Sequence, residues 1–322
     1  MSLTTELNLK NTWAKEKDWL GTVEEDLELF KIIWKSKNGF VPCSYMRVSH
    51  EVPRCLLLAS QEFNDYDYCL PHLLDQDEEY KQYFFDAKKS GRYIIMDNSL
   101  HELGEAYNYD RLKHWVIELK PNEFIVPDVW MEGHMTAAQA KYWKQYKYPK
   151  GTKPIAVIQG KDADDAFLCA SLLQNLGYDK LCVSYGATWY NDCFAHSNPD
   201  MGKALGRVRF VQELLEMKRY KDTKFHLLGC AIPQEFGWYD NHPQIESIDT
   251  SNPVMAALEG IAYNEKGLDT KPKANMNDHF DMDFKNISYE LIMQNTYLFR
   301  KINGLRPYPE HTGSFLKLVN NE

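Results

Sequence analysis

The chain has 322 residues, which is long for one ordinary domain, and its 44% hydrophobic content is enough for a sizeable core. It contains no run of 18 apolar residues that would span a membrane, and its polar N-terminus lacks the apolar region of a signal peptide. The net charge of −9, from 46 acidic and 37 basic residues, argues against a non-specific binder of polyanions and leaves room only for a local basic path.

The seven cysteines are widely spaced and include no CxxC pair or cluster with histidine. This spacing predicts neither a zinc site nor a disulfide framework, and free cysteines are typical of a reducing cytosol. We therefore expect a cytoplasmic protein without a bound metal. The glycine-rich motifs of dinucleotide and nucleotide sites are also absent, which argues against an open doubly wound sheet. We predict no cofactor.

Short apolar runs alternate with helical patterns along most of the chain. Seven runs are typical of strands buried on both faces: 55–60, 93–99, 123–128, 154–160, 180–186, 225–231 and 245–251. Helical periodicity lies at 109–119, 163–177, 207–220 and 253–263, with Gly177 as a C-terminal cap and Pro253 in a first turn. This alternation predicts a parallel α/β sheet, and its many units favour a closed TIM (β/α)₈ barrel.

No linker rich in Pro, Gly or Ser divides the chain, so we predict a single domain over 1–322. Its ends differ from the repeating units. An extension of about 50 residues precedes the barrel. A polar excursion over about 264–287 and a helix over 288–303 follow it.

Three aspartates stand where predicted strands end, at Asp97, Asp128 and Asp249. Barrel proteins place their chemistry at these ends. A lone aspartate there is as often the cap of the next helix, and Asp249 is the best candidate for that role. Three together suggest a division of labour, in which one carboxylate attacks a sugar carbon and a second transfers protons. The third, with the Gln159 amide, can recognise a purine edge. Metal binding is the alternative, although no DxD spacing supports it.

Five strings stand in a fixed order: MDNSLHELGEA, VPD, IAVIQGKD, FHLLGCAIPQ and SIDTS. In order and spacing they resemble the tRNA-guanine transglycosylase superfamily over about residues 93–255. The resemblance implies that Asp249 is the nucleophile and Asp97 the general acid and base. It further implies that Asp128 and Gln159 read the purine, that Gly186 offers backbone contacts, that Leu228 lines the base pocket, and that Ser99 lies near the family's serine.

Other residues at the same rim complete the predicted site. Gly229 follows Leu228 at a strand end, and Tyr185 is placed to fill the space of a flipped base, with core packing as the alternative. Lys161, directly after Gly160, is the strongest candidate for a phosphate contact, ahead of the basic residues 88–92.

The chain also departs from the superfamily pattern. Two family glycines are replaced within 100–102, and no cysteine follows Cys230 to form the family's C-terminal zinc site. The chain is therefore more similar to phage-type DNA 7-deazaguanine transglycosylases. The implied function is replacement of guanine in DNA by a 7-deazaguanine base through a covalent aspartyl–sugar intermediate. The same chemistry on tRNA, as in queuine insertion, a non-catalytic accessory subunit and an unrelated glycoside hydrolase stay open, as do monomer and homodimer.

Overall fold

The computed structural model describes residues 46–104, 107–306 and 309. Within them, eight parallel strands form one sheet in the order β1–β8–β7–β6–β5–β4–β3–β2. The strands are β1 (Arg47–Ser49), β2 (Asp67–Cys69), β3 (Ile94–Met96), β4 (Glu123–Ile125), β5 (Lys153–Ile158), β6 (Lys180–Ser184), β7 (Lys224–Leu228) and β8 (Ile245–Asp249). The Asp65 amide, just before β2, donates to the Val48 carbonyl in β1 at 2.8 Å. The sheet is thus a nearly closed barrel, and the predicted TIM-barrel class is confirmed.

Helices alternate with these strands around the barrel. They are α1 (Pro71–Gln76), α2 (Glu78–Lys89), α3 (Leu100–Leu103), α4 (Tyr109–Leu119), α5 (Gly133–Lys144), α6 (Ala163–Asn175), α7 (Tyr190–Cys193), α8 (Pro199–Glu216), α9 (Asn252–Leu258), α10 (Met276–His279) and α11 (Tyr289–Ile302). Their apolar faces and the strands form the main buried core. In the described part of the chain, no helix is both long and apolar enough to cross a membrane.

Several predicted elements are confirmed. Helix α4 has the predicted bounds, and Gly177 follows α6 with a φ of +80°, a left-handed conformation that favours glycine. Pro253 lies in the first turn of α9. Helix α8 starts eight residues before the predicted 207, because the Asn198 side chain caps its first amides and Pro199 is tolerated in the first turn.

The predicted strand at 55–60 is wrong. The segment forms 3₁₀ turns at Arg54–Leu56 and Ala59–Glu62. Its Cys-Leu-Leu-Leu run has no β-branched residue, and leucine is a good helix former. The missing strands are β1 and β2. Each has only three residues and includes a charged one, and, unlike β3 and β4, neither lies in an apolar run; each pairs with a neighbouring strand.

The polar excursion at 264–287 lies over the barrel mouth. The Lys271 amide donates to Asp200 Oδ2 at 2.9 Å, and Gln234 Nε2 donates to the Leu268 carbonyl at 2.7 Å. These bonds attach the excursion to α8 and to the loop after β7. Of the predicted N-terminal extension, residues 1–45 lie outside the described residues.

Candidate functional site

A cavity of about 730 Å³ opens at the carboxyl ends of the strands. Parallel strands bring their ends to one rim, so residues far apart in sequence meet there. Eight residues of the predicted site line it: Asp97, Asp128, Gln159, Tyr185, Gly186, Leu228, Gly229 and Asp249. The sequence pattern therefore predicted residues of the cavity wall at the ends of six different strands.

Asp97 follows β3 and is held through both carboxyl oxygens. Tyr68 Oη donates to Oδ1 at 2.9 Å, and the Ser99 amide donates to Oδ2 at 3.0 Å. Ser99 has a φ of +58°, so the backbone turns sharply back toward the carboxylate. Burial raises the pKa of Asp97, although these two donors act in the opposite direction. A carboxyl group with a raised pKa is suited to carry a proton.

Asp128 lies between two side-chain amides. Asn98 Nδ2 donates to Oδ1 and Gln159 Nε2 donates to Oδ2, each at 2.6 Å. Gln159 Oε1 accepts from the Met131 amide at 3.1 Å, which orients the Gln159 amide group with its nitrogen toward the carboxylate. Burial raises the pKa of Asp128 to about 6 despite these donors. At neutral pH the cavity floor thus presents an oriented carboxylate.

Asp249 is the last residue of β8, and the structure does not use it as a helix cap. Thr250 Oγ1 instead accepts from the Asn252 amide at 3.1 Å. His226 Nε2 lies 3.0 Å from Asp249 Oδ1, although the angles are not those of a hydrogen bond. Burial raises the pKa of Asp249, and the nearby Asp97 raises it further. Burial lowers the pKa of His226 to about 3, so this imidazole is neutral.

An aromatic ring packs directly on each of two glycines at the rim. A Cβ on Gly186 would lie 2.4 Å from the Trp130 ring, and one on Gly229 would lie 2.4 Å from the Tyr185 ring. Gly229 also has a φ of +59°. Both positions therefore need glycine so that a ring can pack on the backbone. Trp130 remains 44% exposed beside the cavity.

A buried arginine, which the sequence analysis did not identify, donates hydrogen bonds to the backbone of the Leu228–Gly229 turn. Arg207 donates to the Leu228 carbonyl at 2.9 Å and to the Gly229 carbonyl at 2.8 Å. Its charge is paired with Glu235 at 2.6 Å, and both side chains are fully buried. Helix α8 carries other charged residues, such as Lys203 and Arg209, so nothing in the sequence singled out Arg207.

Two residues of the predicted site lie away from the cavity lining. Ser99 is fully buried, and its Oγ is hydrogen bonded to His72 Nδ1 at 2.7 Å. Lys161 is exposed beyond β5, and its amide donates to Asp165 Oδ2 at 3.2 Å. Of the basic residues 88–92, Arg92 precedes β3 and pairs with Asp67, at the opposite end of the barrel.

The cavity also contains other titratable residues. His101 and Glu102 follow Asp97 at the strand end, whereas Glu51, Lys203 and Lys271 were not expected from the sequence. Burial, together with the nearby Asp249 and Asp97, raises the pKa of Glu51 to about 8. Glu51 follows a strand too short to recognise, and Lys271 lies in the excursion. Neither position has a periodic signal.

The residues that the structure describes contain no group of three or more His, Cys, Asp or Glu side chains arranged to hold a metal ion. Each oxygen of Asp128 instead accepts one hydrogen bond from a side-chain amide. Fold and site together define a (β/α)₈-barrel protein with a deep pocket that is lined by buried aspartates. No protein-family model and no curated protein matches the chain.

Proposed function

We propose that the protein replaces guanine in DNA with a 7-deazaguanine base through a covalent aspartyl–sugar intermediate. The observation that carries this proposal is the convergence in one cavity of Asp97 and Asp249 with the amide-flanked Asp128. Two carboxyl groups supply a nucleophile and a proton carrier, and the third supplies a recognition edge. The resemblance of five sequence strings to base-exchange transglycosylases supports the same assignment.

Asp249 is proposed as the nucleophile. Both oxygens of Asp97 accept hydrogen bonds, whereas Asp249 Oδ1 accepts none from the described residues. Asp249 attacks C1′ of the nucleotide while Asp97 protonates the departing guanine. The incoming base then gives a proton to the Asp97 carboxylate and attacks C1′, which releases Asp249. Because the two carboxyl groups raise each other's proton affinity, one shared proton is sufficient for this cycle.

Asp128 is proposed to select guanine-like bases. Its oxygens are acceptors, and guanine presents two matching donors, N1–H and the 2-amino group. Adenine has an acceptor at N1 and no 2-amino group, so it would place an acceptor against the buried carboxylate and give it no further donor. Gln159 has a second amide hydrogen, which is available to the base O6.

DNA is proposed over tRNA because the chain lacks the cysteines of the zinc site that tRNA-acting members carry after their barrel strands. The decisive experiment incubates the protein with radiolabelled guanine or a 7-deazaguanine and with duplex DNA, single-stranded DNA or tRNA. We expect label in DNA, and none with Asp249→Asn. Label in tRNA alone would assign the same chemistry to tRNA. No label in any polymer would contradict the proposal and favour an accessory subunit.

A further inference from the structure

Tyr185 forms part of the cavity rim and is surrounded by basic side chains. Lys271 Nζ donates to Tyr185 Oη and lies 4.5 Å from the ring centroid. Lys203 Nζ lies 5.9 Å from the same centroid, and the His101 ring lies 6.1 Å away. The ring packs on Gly229, so the backbone fixes the position of the aromatic ring that both lysines contact.

Neither lysine has an acidic group within ion-pair distance among the described residues, although Asp200 acts on Lys203 and Glu51 interacts with Lys271 over a longer distance. Neither ammonium group forms an ion pair within the described chain, and Lys271 reaches Tyr185 from the excursion, 86 residues away in sequence. Lys203 is half-buried, and burial together with Lys271 lowers its pKa. The acidic group that acts on Lys203 is Asp200, which also accepts the Lys271 amide. Placing two ammonium groups near each other without pairing either costs free energy, and a bound anion would recover it.

The lysine pair lies close to the proposed reaction centre. Ser184, Leu228 and Asp249 are register partners on β6, β7 and β8, and Tyr185 is the next residue after Ser184. Two strand spacings, about 10 Å, therefore separate the backbone of Tyr185 from that of Asp249. A nucleotide whose C1′ is at Asp249 has a phosphate on each side of its sugar. One of these phosphates would therefore lie at the part of the rim formed by Tyr185 and the two lysines.

We infer that Lys203 and Lys271 bind a backbone phosphate next to the nucleotide whose base is exchanged. This inference rests on the proposed function. The main phosphate contact is then made by two lysines that line the cavity, and not by the exposed Lys161 that the sequence analysis favoured. Phosphate neutralisation by lysine releases counterions, so each contact contributes to the salt dependence of DNA binding.

The test measures binding of a labelled single-stranded DNA oligonucleotide to the full chain over a range of salt concentrations. The variants are Lys203→Ala, Lys271→Ala and the double variant, with Lys203→Arg and Lys271→Arg as conservative versions. The matched control is Lys153→Ala, because Lys153 is exposed at the start of β5, at the opposite end of the barrel. For the same variants, steady-state measurements of base exchange give the KM for DNA and the KM for the base separately.

We expect each alanine variant to lower the slope of log K against log salt by about 0.7, and the double variant by about twice that. The KM for DNA should rise while the KM for the base is unchanged, and the arginine variants should restore binding. A wild-type slope in the double variant, with exchange intact, would overturn the phosphate site alone. Lysine-dependent DNA binding without any base exchange would instead keep the site and overturn the proposed function.

Discussion

His226 Nε2 lies 3.0 Å from Asp249 Oδ1, and the Nδ1 of the same ring is hydrogen bonded to Ser247 Oγ at 2.9 Å. His226 and Ser247 are register partners on β7 and β8, and Ser247 and Asp249 are on the same face of β8. The neutral imidazole of His226 thus lies between the side chains of Asp249 and Ser247, both of which are on β8. We infer that His226 positions the carboxylate of Asp249.

The first prediction concerns His226→Phe, which keeps a ring of similar size beside Tyr68 but removes both nitrogens. We expect kcat to fall by about 10- to 100-fold, or about 1.4 to 2.7 kcal/mol in the barrier, because the carboxylate loses the ring nitrogen that lies 3.0 Å from it. The KM for the base should not change, because His226 is absent from the cavity wall. Steady-state kinetics separate the two constants. A change in KM alone would contradict a positioning role.

The second prediction concerns Asp249→Asn, which should abolish base exchange because an amide is a far poorer nucleophile. The variant should also be more stable at neutral pH. The raised pKa of Asp249 means that its contribution to stability is complete below about pH 4 and is lost as the pH rises. The increase in Tm over the native protein should therefore grow from pH 4 to pH 8. More than about a tenth of native activity would rule out Asp249 as the nucleophile.

The third prediction concerns Asp97→Asn, which should slow cleavage of the old glycosidic bond and formation of the new one to a similar extent. One group is proposed to protonate the departing base and to deprotonate the incoming base. The expected loss is about 10²- to 10⁴-fold. Release of guanine and uptake of labelled base, measured separately in a single turnover, check it. A loss confined to one half-reaction would assign the other proton transfer to a different group.

The fourth prediction concerns Asp128, whose pKa of about 6 sets a pH dependence of base recognition. Only the ionised carboxylate accepts hydrogen bonds from both donors of guanine. The KM for the base should therefore rise as the pH falls below about 6, by up to tenfold for each pH unit. Asp128→Ala should raise this KM by two or more orders of magnitude and remove the pH dependence. Equal use of adenine and guanine by the native protein would contradict the assignment.

The sequence by itself determined the barrel class and much of the cavity wall. Runs such as 154–160 and 225–231 are apolar over their whole length because parallel strands are buried on both faces, and this property is local. The polar residue that ends such a run reaches the same rim as its counterparts on other strands. For this reason Asp97, Asp128, Gln159 and Asp249 could be placed together without coordinates.

Only the tertiary structure decided how those residues differ and what surrounds them. The carboxyl groups differ because each meets different partners, Tyr68 at Asp97, two amides at Asp128 and His226 at Asp249, and because burial shifts each pKa. Trp130 on Gly186 and Lys271 on Tyr185 join segments that are remote in sequence. Periodicity reports which face of an element is buried, whereas desolvation and contacts depend on which other elements cover that face.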